Sequence, residues 1–587
     1  MTQTDNLTET NQPRPPRPGV ADGLSVIAAS VGSTDLSNRG RRSIATLTIR
    51  WVRRHWPVAM VVICALVLVG VTLVQCVGYT PEGDHALMGV HVLRMPAHPQ
   101  LVGVYSRFGF HHPGPALYQL LWVFSVLTGG LGLALPLAAT AVNAGCLVGI
   151  VLVVERAAGR VAAALSGAVC MFYLSLEEHG FLRDAWNPYI ALLPFVLGTL
   201  LAWRASEGRP WALTGAVALL SFSTQCHLAY AGPALLVLAL VVALRGLPAL
   251  ARGITTRLRR GRARPPRRRA GRGWLAPLGV SAGVALVMWL PPLIEQATGR
   301  PGNLTLIWRN LTGSQTASDP SLALRWVGTQ VSQLPAFLLG MRPAHLWLVP
   351  LPLWPSSFAL AVAVALVVAV GAAVWLRTTA LPRLAILTVL LTAAGVVSIM
   401  HVEGLLFPYV VEPIVGVAML SWVCAAIAAV AVGRRLSEGG STRWLRRAST
   451  AAAAAMFVVV SVLLVSRTAA NQPGSDREVV TATRTALPVL QHYRGQTLCT
   501  VPEPAGAAWL WSFGVGSATV LQLRSAGLDV RGPAGSDLSF GPVSCPAPTP
   551  IQIVVAATTT PARAIWDEKA RLLARTPNIS LYLATHR

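Results

Sequence analysis

The sequence predicts an all-α polytopic membrane protein with about eleven transmembrane helices and an embedded outer-leaflet helix, followed by a small C-terminal α/β extracytoplasmic domain. Three observations predict it. The 587-residue chain is 53% hydrophobic and 12% charged, with a mean hydropathy of +0.55, outside the range of ordinary soluble proteins. Its apolar residues gather in runs long enough to cross a bilayer. Its arginines gather between those runs, so the formal net charge of +25 reports orientation in a membrane and not affinity for nucleic acid.

Residues 1–50 are rich in Pro, Ser, Thr, Asn and Arg and lack apolar periodicity, which predicts a disordered cytoplasmic tail. No short apolar core with a small-residue cleavage site marks them as a signal peptide. Arg53 and Arg54 precede the run Pro57–Val77, whose far end the positive-inside rule sends outward. Residues 78–112 are then external. Pro113–Thr128 is short for a span and is read as the embedded helix. Ten further spans alternate: Leu131–Val154, Val161–Leu176, Tyr189–Trp203, Trp211–Thr224, Leu228–Leu244, Trp274–Leu290, Ser356–Leu376, Leu384–Met400, Leu406–Val432 and Thr450–Val465. Residues 245–273 hold eleven arginines and no acid and fall inside, as does every other arginine cluster between spans. Counting Pro113–Thr128 as a crossing would put those eleven arginines outside, against the rule. Residues 51–466 thus form the transmembrane domain and 467–587 the external domain, with strand-like runs at Thr497–Val501, Ile551–Ala556 and Ile579–Ala584 and a helical stretch through Ala507–Ala526. The protein is expected in the plasma membrane with a cytoplasmic N-terminus.

With topology set by arginines, the other polar residues test where chemistry lies. Eleven of the twelve histidines fall outside, all but His55, and only Glu412 is ionisable within a run. A transporter generally needs ionisable groups near the midplane. The first external loop carries Glu82, Asp84, His85, His91 and Arg107, then His111-His112-Pro113-Gly114-Pro115. A helix starting at Pro81 would place Asp84 and His91 on one face, with Leu87 and Val90 in the headgroup layer. Asp84 could equally be a first-turn carboxylate favouring the helix dipole. The second external turn holds Arg183, Asp184 and Asn187; Arg183 beside Asp184 could be a local ion pair. His227, Glu295 and Glu403 stand at span ends, where a shared outer cleft would collect them. Six cysteines lie in or beside apolar runs, while Cys499 and Cys545 lie in the polar C-terminal part and could pair if it is extracytoplasmic. No Cys-x-x-Cys or zinc-type spacing occurs.

An acidic first external loop, a His-Pro helix and an Arg-containing external turn two spans later resemble the GT-C superfamily of polytopic glycosyltransferases. That superfamily includes protein O-mannosyltransferases, aminoarabinose transferases and actinobacterial arabinofuranosyltransferases. The similarity covers most of the first 300 residues in arrangement and is specific at Glu82–Asp84, Tyr105–Pro115 and Arg183–Pro188. Tyr105–Pro115 is most similar to uncharacterised actinobacterial relatives. The chain departs from the mannosyltransferases in separating Glu82 from Asp84 by Gly83, and in carrying His-Pro-Gly-Pro for His-Pro-Pro-Leu. Both the sugar and the choice of acid therefore stay open.

The resemblance implies transfer of a sugar from a polyprenyl-phosphate donor to a hydroxyl of a cell-envelope glycan, lipid or protein at the outer face. Asp84, with Glu82 as alternative, would take the acceptor proton. Arg107, His111, His112 and Arg183 would stabilise the departing phosphate. A divalent metal, Mg or Mn, could be held by Asp84 with a neighbouring histidine or Asp184, though no ligand spacing requires it. The rival readings are a lipid or polysaccharide transporter and a non-catalytic cell-envelope scaffold.

Overall fold

The computed structural model describes residues 50–95, 97–177, 180–258, 272–313, 319–341, 356–375, 381–402, 406–436, 443–471, 477–503, 509–546, 551–558 and 570–585. The tail expected over 1–50 lies outside them except for Arg50, and so does Glu403. The chain forms two units, Met1–Ala59 and Met60–Arg587, and the site described below belongs to the second.

In chain order the helices are α1 (Trp56–Gln75), α2 (Gly83–Arg94), α3 (Ala116–Thr128), α4 (Leu131–Ala158), α5 (Arg160–Leu176), α6 (Leu192–Ser206), α7 (Trp211–Cys226), α8 (Ala231–Leu258), α9 (Arg272–Thr298), α10 (Asn303–Thr312), α11 (Pro320–Leu338), α12 (Ser356–Trp375), α13 (Leu381–Met400), α14 (Pro413–Leu436) and α15 (Arg443–Ala470). Each expected span coincides with a helix. Among the described residues seven are long and apolar enough to cross a membrane: α1, α4, α6 with its preceding turn, α9, α13, α14 and α15. Exposed Leu, Val and Ile side chains on α1, α9, α12, α13 and α15 suit contact with lipid. The interior is built around α4, α5, α6, α7 and α14, where Trp203, Phe195 and Tyr173 are almost completely enclosed.

α3 has 13 residues and ends at Gly129 in the left-handed region, φ 70°. It rises about 20 Å, short of the roughly 30 Å hydrocarbon layer.

Three expectations need correction. α9 does not stop at Leu290 but runs through Pro291 and Pro292 to Thr298, and two further helices, α10 and α11, lie between it and the next expected span. The span expected from Leu406 begins as a helix at Pro413, preceded by a 3-10 turn Pro408–Val411, which leaves the buried Glu412 at its start and not within it. Leu87 and Val90 do not rest in a headgroup layer. They are enclosed by protein, because α2 packs between α3 and the C-terminal part.

That part contains α16 (Arg477–Leu490), β1 (Thr497–Glu503), α17 (Trp509–Ser525), β2 (Asp529–Arg531), β3 (Ile551–Ala557), β4 (Arg571–Arg575) and β5 (Ile579–Thr585). The sheet order is β2-β1-β3-β5-β4. β1 pairs in parallel with β2 and β3, whereas β5 runs antiparallel to β3 and β4. The three expected strands are present, and β2 and β4 are additional. α16 and α17 pack on the sheet and on each other. Cys499 on β1 is disulfide-bonded to Cys545, with Cα atoms 6.0 Å apart.

Candidate active site

The loops between α1 and α3 and between α5 and α6 converge on one cavity of about 1640 Å3, walled also by the turn between α7 and α8, the start of α8, and by α10, α13 and Phe407–Val410. Sequence explains the local shapes. Glu82 is the extended N-cap of α2, with φ −131°, and Gly83 takes φ +53°, a left-handed conformation that a side chain disfavours. This turn delivers Asp84 to the cavity wall. The stretch from Val104 folds back as a narrow loop in which Tyr105 bridges His111, the Ser106 amide donates to the Phe110 carbonyl and the His112 amide to the Val104 carbonyl. Tyr105 is thereby set opposite Asp84.

The Asp84 carboxylate accepts the Tyr105 hydroxyl at 2.8 Å on Oδ1 and the Trp186 indole Nε1–H at 2.8 Å on Oδ2. Burial, then the Asp84 charge, pushes the Tyr105 phenol up, so it stays a donor. Two carboxylate oxygens offer about four acceptor positions, which leaves room for another donor from the cavity. Beside it, Asp184 Oδ1 accepts its own turn's Trp186 amide at 2.7 Å and the His85 Nε2–H at 2.6 Å. Burial works against charge on His85, but the Asp184 carboxylate and its hydrogen bond, with Asp84 and Glu82 adding, raise its pKa above the usual histidine value. Glu82 lines the same cavity.

The cationic candidates separate. Arg107 lines the cavity with its guanidinium over Phe108, Phe407 and Tyr409, at 4.8, 4.9 and 5.9 Å from the ring centres, a cation–π cage. Arg183 also borders the cavity but is spent elsewhere. Its NH1 donates to Gln75 Oε1 at 2.8 Å, and its NH2 to the carbonyls of Thr468 and Asn471. Only Nε lacks a hydrogen-bond partner among the described residues. It ties the end of α1 to the end of α15. His112 Nδ1 accepts the Leu228 amide at 3.1 Å, so that nitrogen carries no proton. Burial, then the neighbouring His227 and His111, holds its pKa well below the ordinary value. The His112 ring lies tilted against that of His227, with centroids 4.5 Å apart, and burial lowers the His227 pKa to about 3. His111 is not among the lining residues. Its amide and carbonyl pair with the Asn303 side chain at 2.8 Å each, and burial, then His91, lowers its pKa to about 4.

Asn187 lines the cavity and donates Nδ2–H to the Cys226 carbonyl at 3.0 Å. Glu295 lies apart from the cavity and accepts the Asn303 amide at 2.8 Å, satisfying the start of α10. Sequence reasoning missed Tyr105, Trp186, Phe407 and Tyr409 as site residues. Tyr105 and Trp186 stand within the quoted motifs, but a search for ionisable groups passes over a phenol and an indole. The Trp186 and Tyr409 rings are 4.9 Å apart, and Leu236, Leu311, Ala394 and Val397 add apolar surface to the wall.

N–H and O–H donors face both Asp84 oxygens and Asp184 Oδ1. Among the described residues no group of three or more His, Cys, Asp or Glu side chains is placed to hold a metal ion.

No protein-family model matches the sequence, and no curated protein matches it. Among solved structures, ArnT from Cupriavidus metallidurans bound to undecaprenyl phosphate matches with a TM-score of 0.51 and 14% identity, covering 89% of this chain and 97% of that one. The apo state of the same protein gives 0.48, 14% identity and coverage of 90% and 97%. An oligosaccharyltransferase from Archaeoglobus fulgidus, tethered with an acceptor peptide, gives 0.43 and 13% identity, covering 80% of this chain and 64% of that one. The likeness to the first shows a shared fold.

Proposed function

We propose that this chain is a GT-C membrane glycosyltransferase, moving a sugar from a polyprenyl-phosphate donor to an acceptor hydroxyl at the outer face of the plasma membrane. The observation that carries the reading is the Asp84 carboxylate, fixed by Tyr105 and Trp186, in a cavity whose wall also carries apolar side chains. A lipid-linked sugar combines polar and apolar chemistry in the same way. The undecaprenyl phosphate bound to ArnT supports the donor class. A hydroxyl of an envelope glycan, lipid or protein would be the acceptor.

In the step proposed, the acceptor oxygen attacks the anomeric carbon while the bond from that carbon to the phosphate oxygen breaks. The acceptor proton passes to Asp84, and polyprenyl phosphate departs with the electron pair. Tyr105 and Trp186 hold the carboxylate in one orientation, as a general base requires. Glu82, two residues away, is the alternative base. Arg107, a cation lining the same cavity, would face the phosphate. Trp186 and Tyr409 would offer ring faces to a sugar.

The test is transfer of radiolabelled sugar from polyprenyl-phosphate donors in liposomes carrying the purified protein. Incorporation is expected, with Asp84→Asn lowering it by about 10^2 to 10^4-fold. Full incorporation by Asp84→Asn would remove the assigned base, and lipid movement that needs no sugar transfer would favour a transporter.

A further inference from the structure

The helix that carries Asp84 is covered along its length by the C-terminal part of the chain. Three contacts run along it. At its start the Ser517 hydroxyl lies 3.1 Å from the Gly83 carbonyl and 3.1 Å from that of Gly514, one O–H shared between two acceptors. At its middle Gly89 lets α17 approach so closely that a Cβ there would stand 3.0 Å from both methyl carbons of Leu521 and 3.4 Å from Leu131. At its end His91 Nε2 meets the Ser539 carbonyl at 3.0 Å. Ser517 and Leu521 are each 1% exposed, and α2 has no side-chain cap of its own at Glu82. A helix of 12 residues is too short to be stable alone, so neighbouring elements set its position.

We propose that the C-terminal domain is a positioning element of the active site, clamping α2 through Ser517, Leu521 and Ser539 so that Asp84 is presented to the cavity. The inference rests on Asp84 as the base. Its physical content is geometric: Gly83, whose carbonyl is held, is bonded directly to Asp84, and the carboxylate must meet Tyr105, Trp186 and an acceptor together. A shift of α2 by a few tenths of an ångström loses alignment without removing any group from the cavity.

Gly89→Ala tests this with little risk to folding, because alanine favours a helix interior over glycine and the obstacle it meets is the end of a flexible side chain. The expected result is a fall in kcat of about 10-fold, with the donor KM and the affinity for polyprenyl phosphate within twofold of wild type and no loss of thermal stability. Adding Leu521→Ala to Gly89→Ala makes room for the methyl group and is expected to recover kcat to within threefold of wild type. Ser517→Ala should lower kcat in the same selective way. Asp84→Asn run alongside separates the two claims. If Asp84→Asn retains full activity, the base assignment fails. If Asp84→Asn is inactive while Gly89→Ala and Ser517→Ala turn over like wild type, the clamp is wrong. A raised donor KM in Gly89→Ala, or no recovery in the double variant, also overturns it.

Discussion

Replacing Arg183 separates a structural tie from a phosphate ligand. In Arg183→Gln the charged donors to Gln75 and to the Thr468 and Asn471 carbonyls are lost. Hydrogen bonds from a charged donor contribute about 1.5 to 3 kcal/mol each. Three of them set a ceiling near 9 kcal/mol, which relaxation of the α15 end and the substituted amide reduce. The expected net loss is about 3 to 5 kcal/mol, in the range of a disrupted buried network. In a chain of 587 residues that corresponds to a fall of roughly 2 to 4 °C in melting temperature. The assay is a detergent melting curve followed by size exclusion, with donor KM measured on the folded fraction. The expected outcome is a lowered melting temperature and a donor KM within about threefold of wild type, since this guanidinium is committed to protein acceptors. An unchanged melting curve with a donor KM raised more than about 10-fold would refute the reasoning and return Arg183 to the phosphate.

Tyr105→Phe and Trp186→Phe each remove one donor from Asp84 and should lower kcat by about 10-fold, a loss of order 1.4 kcal/mol; a change confined to KM would mean that these side chains bind substrate instead. His227 has a folded pKa near 3 against 6.5 when free, and His112 is lowered in the same direction, so the unfolded chain binds more protons than the folded one between those values. Their contribution is present above about pH 6.5 and is lost as pH falls toward 3; melting temperature should drop on acidification, less steeply in His227→Phe, and a flat profile in the wild type would contradict this. Replacing Cys499 and Cys545 by serine opens a link of sequence separation 46, worth about 4 kcal/mol by chain entropy; faster hydrogen exchange in β1 and β3 should report it, and unchanged exchange would show that the domain holds without it.

Much of the architecture was legible because its signals are long. An apolar run flanked by arginines survives any error of a few residues, which is why each expected span meets a helix. What was hidden depends on exceptions and on packing. Pro291 and Pro292 read as a helix end because proline normally removes a hydrogen bond and clashes with the preceding turn, yet α9 continues through both. α11 mixes Gln330 and Gln333 with apolar residues and turns both inward, so neither hydropathy nor polarity announced it. Of the site, the carboxylates and Arg107 could be read from residue type and loop position, and the cavity collects them. The destination of Arg183 could not be read, because its acceptors, the Thr468 and Asn471 carbonyls, lie 285 and 288 residues away and backbone carbonyls leave no mark in a sequence. His111 and His112 look alike as neighbours, but alternation along the loop turns only one of them to the cavity.

The cover over α2 also orders events during synthesis. Gly83 and Ser517 are 434 residues apart, so at about 5 to 20 residues per second the first loop waits roughly 20 to 90 s for its lid. Throughout that interval α2 lacks the α17 surface that later covers Gly89. A ribosome that stops before Trp509 leaves a membrane region whose acid-bearing helix is uncovered on that side. The amides of α2 should exchange faster in such a truncated chain than in the finished one.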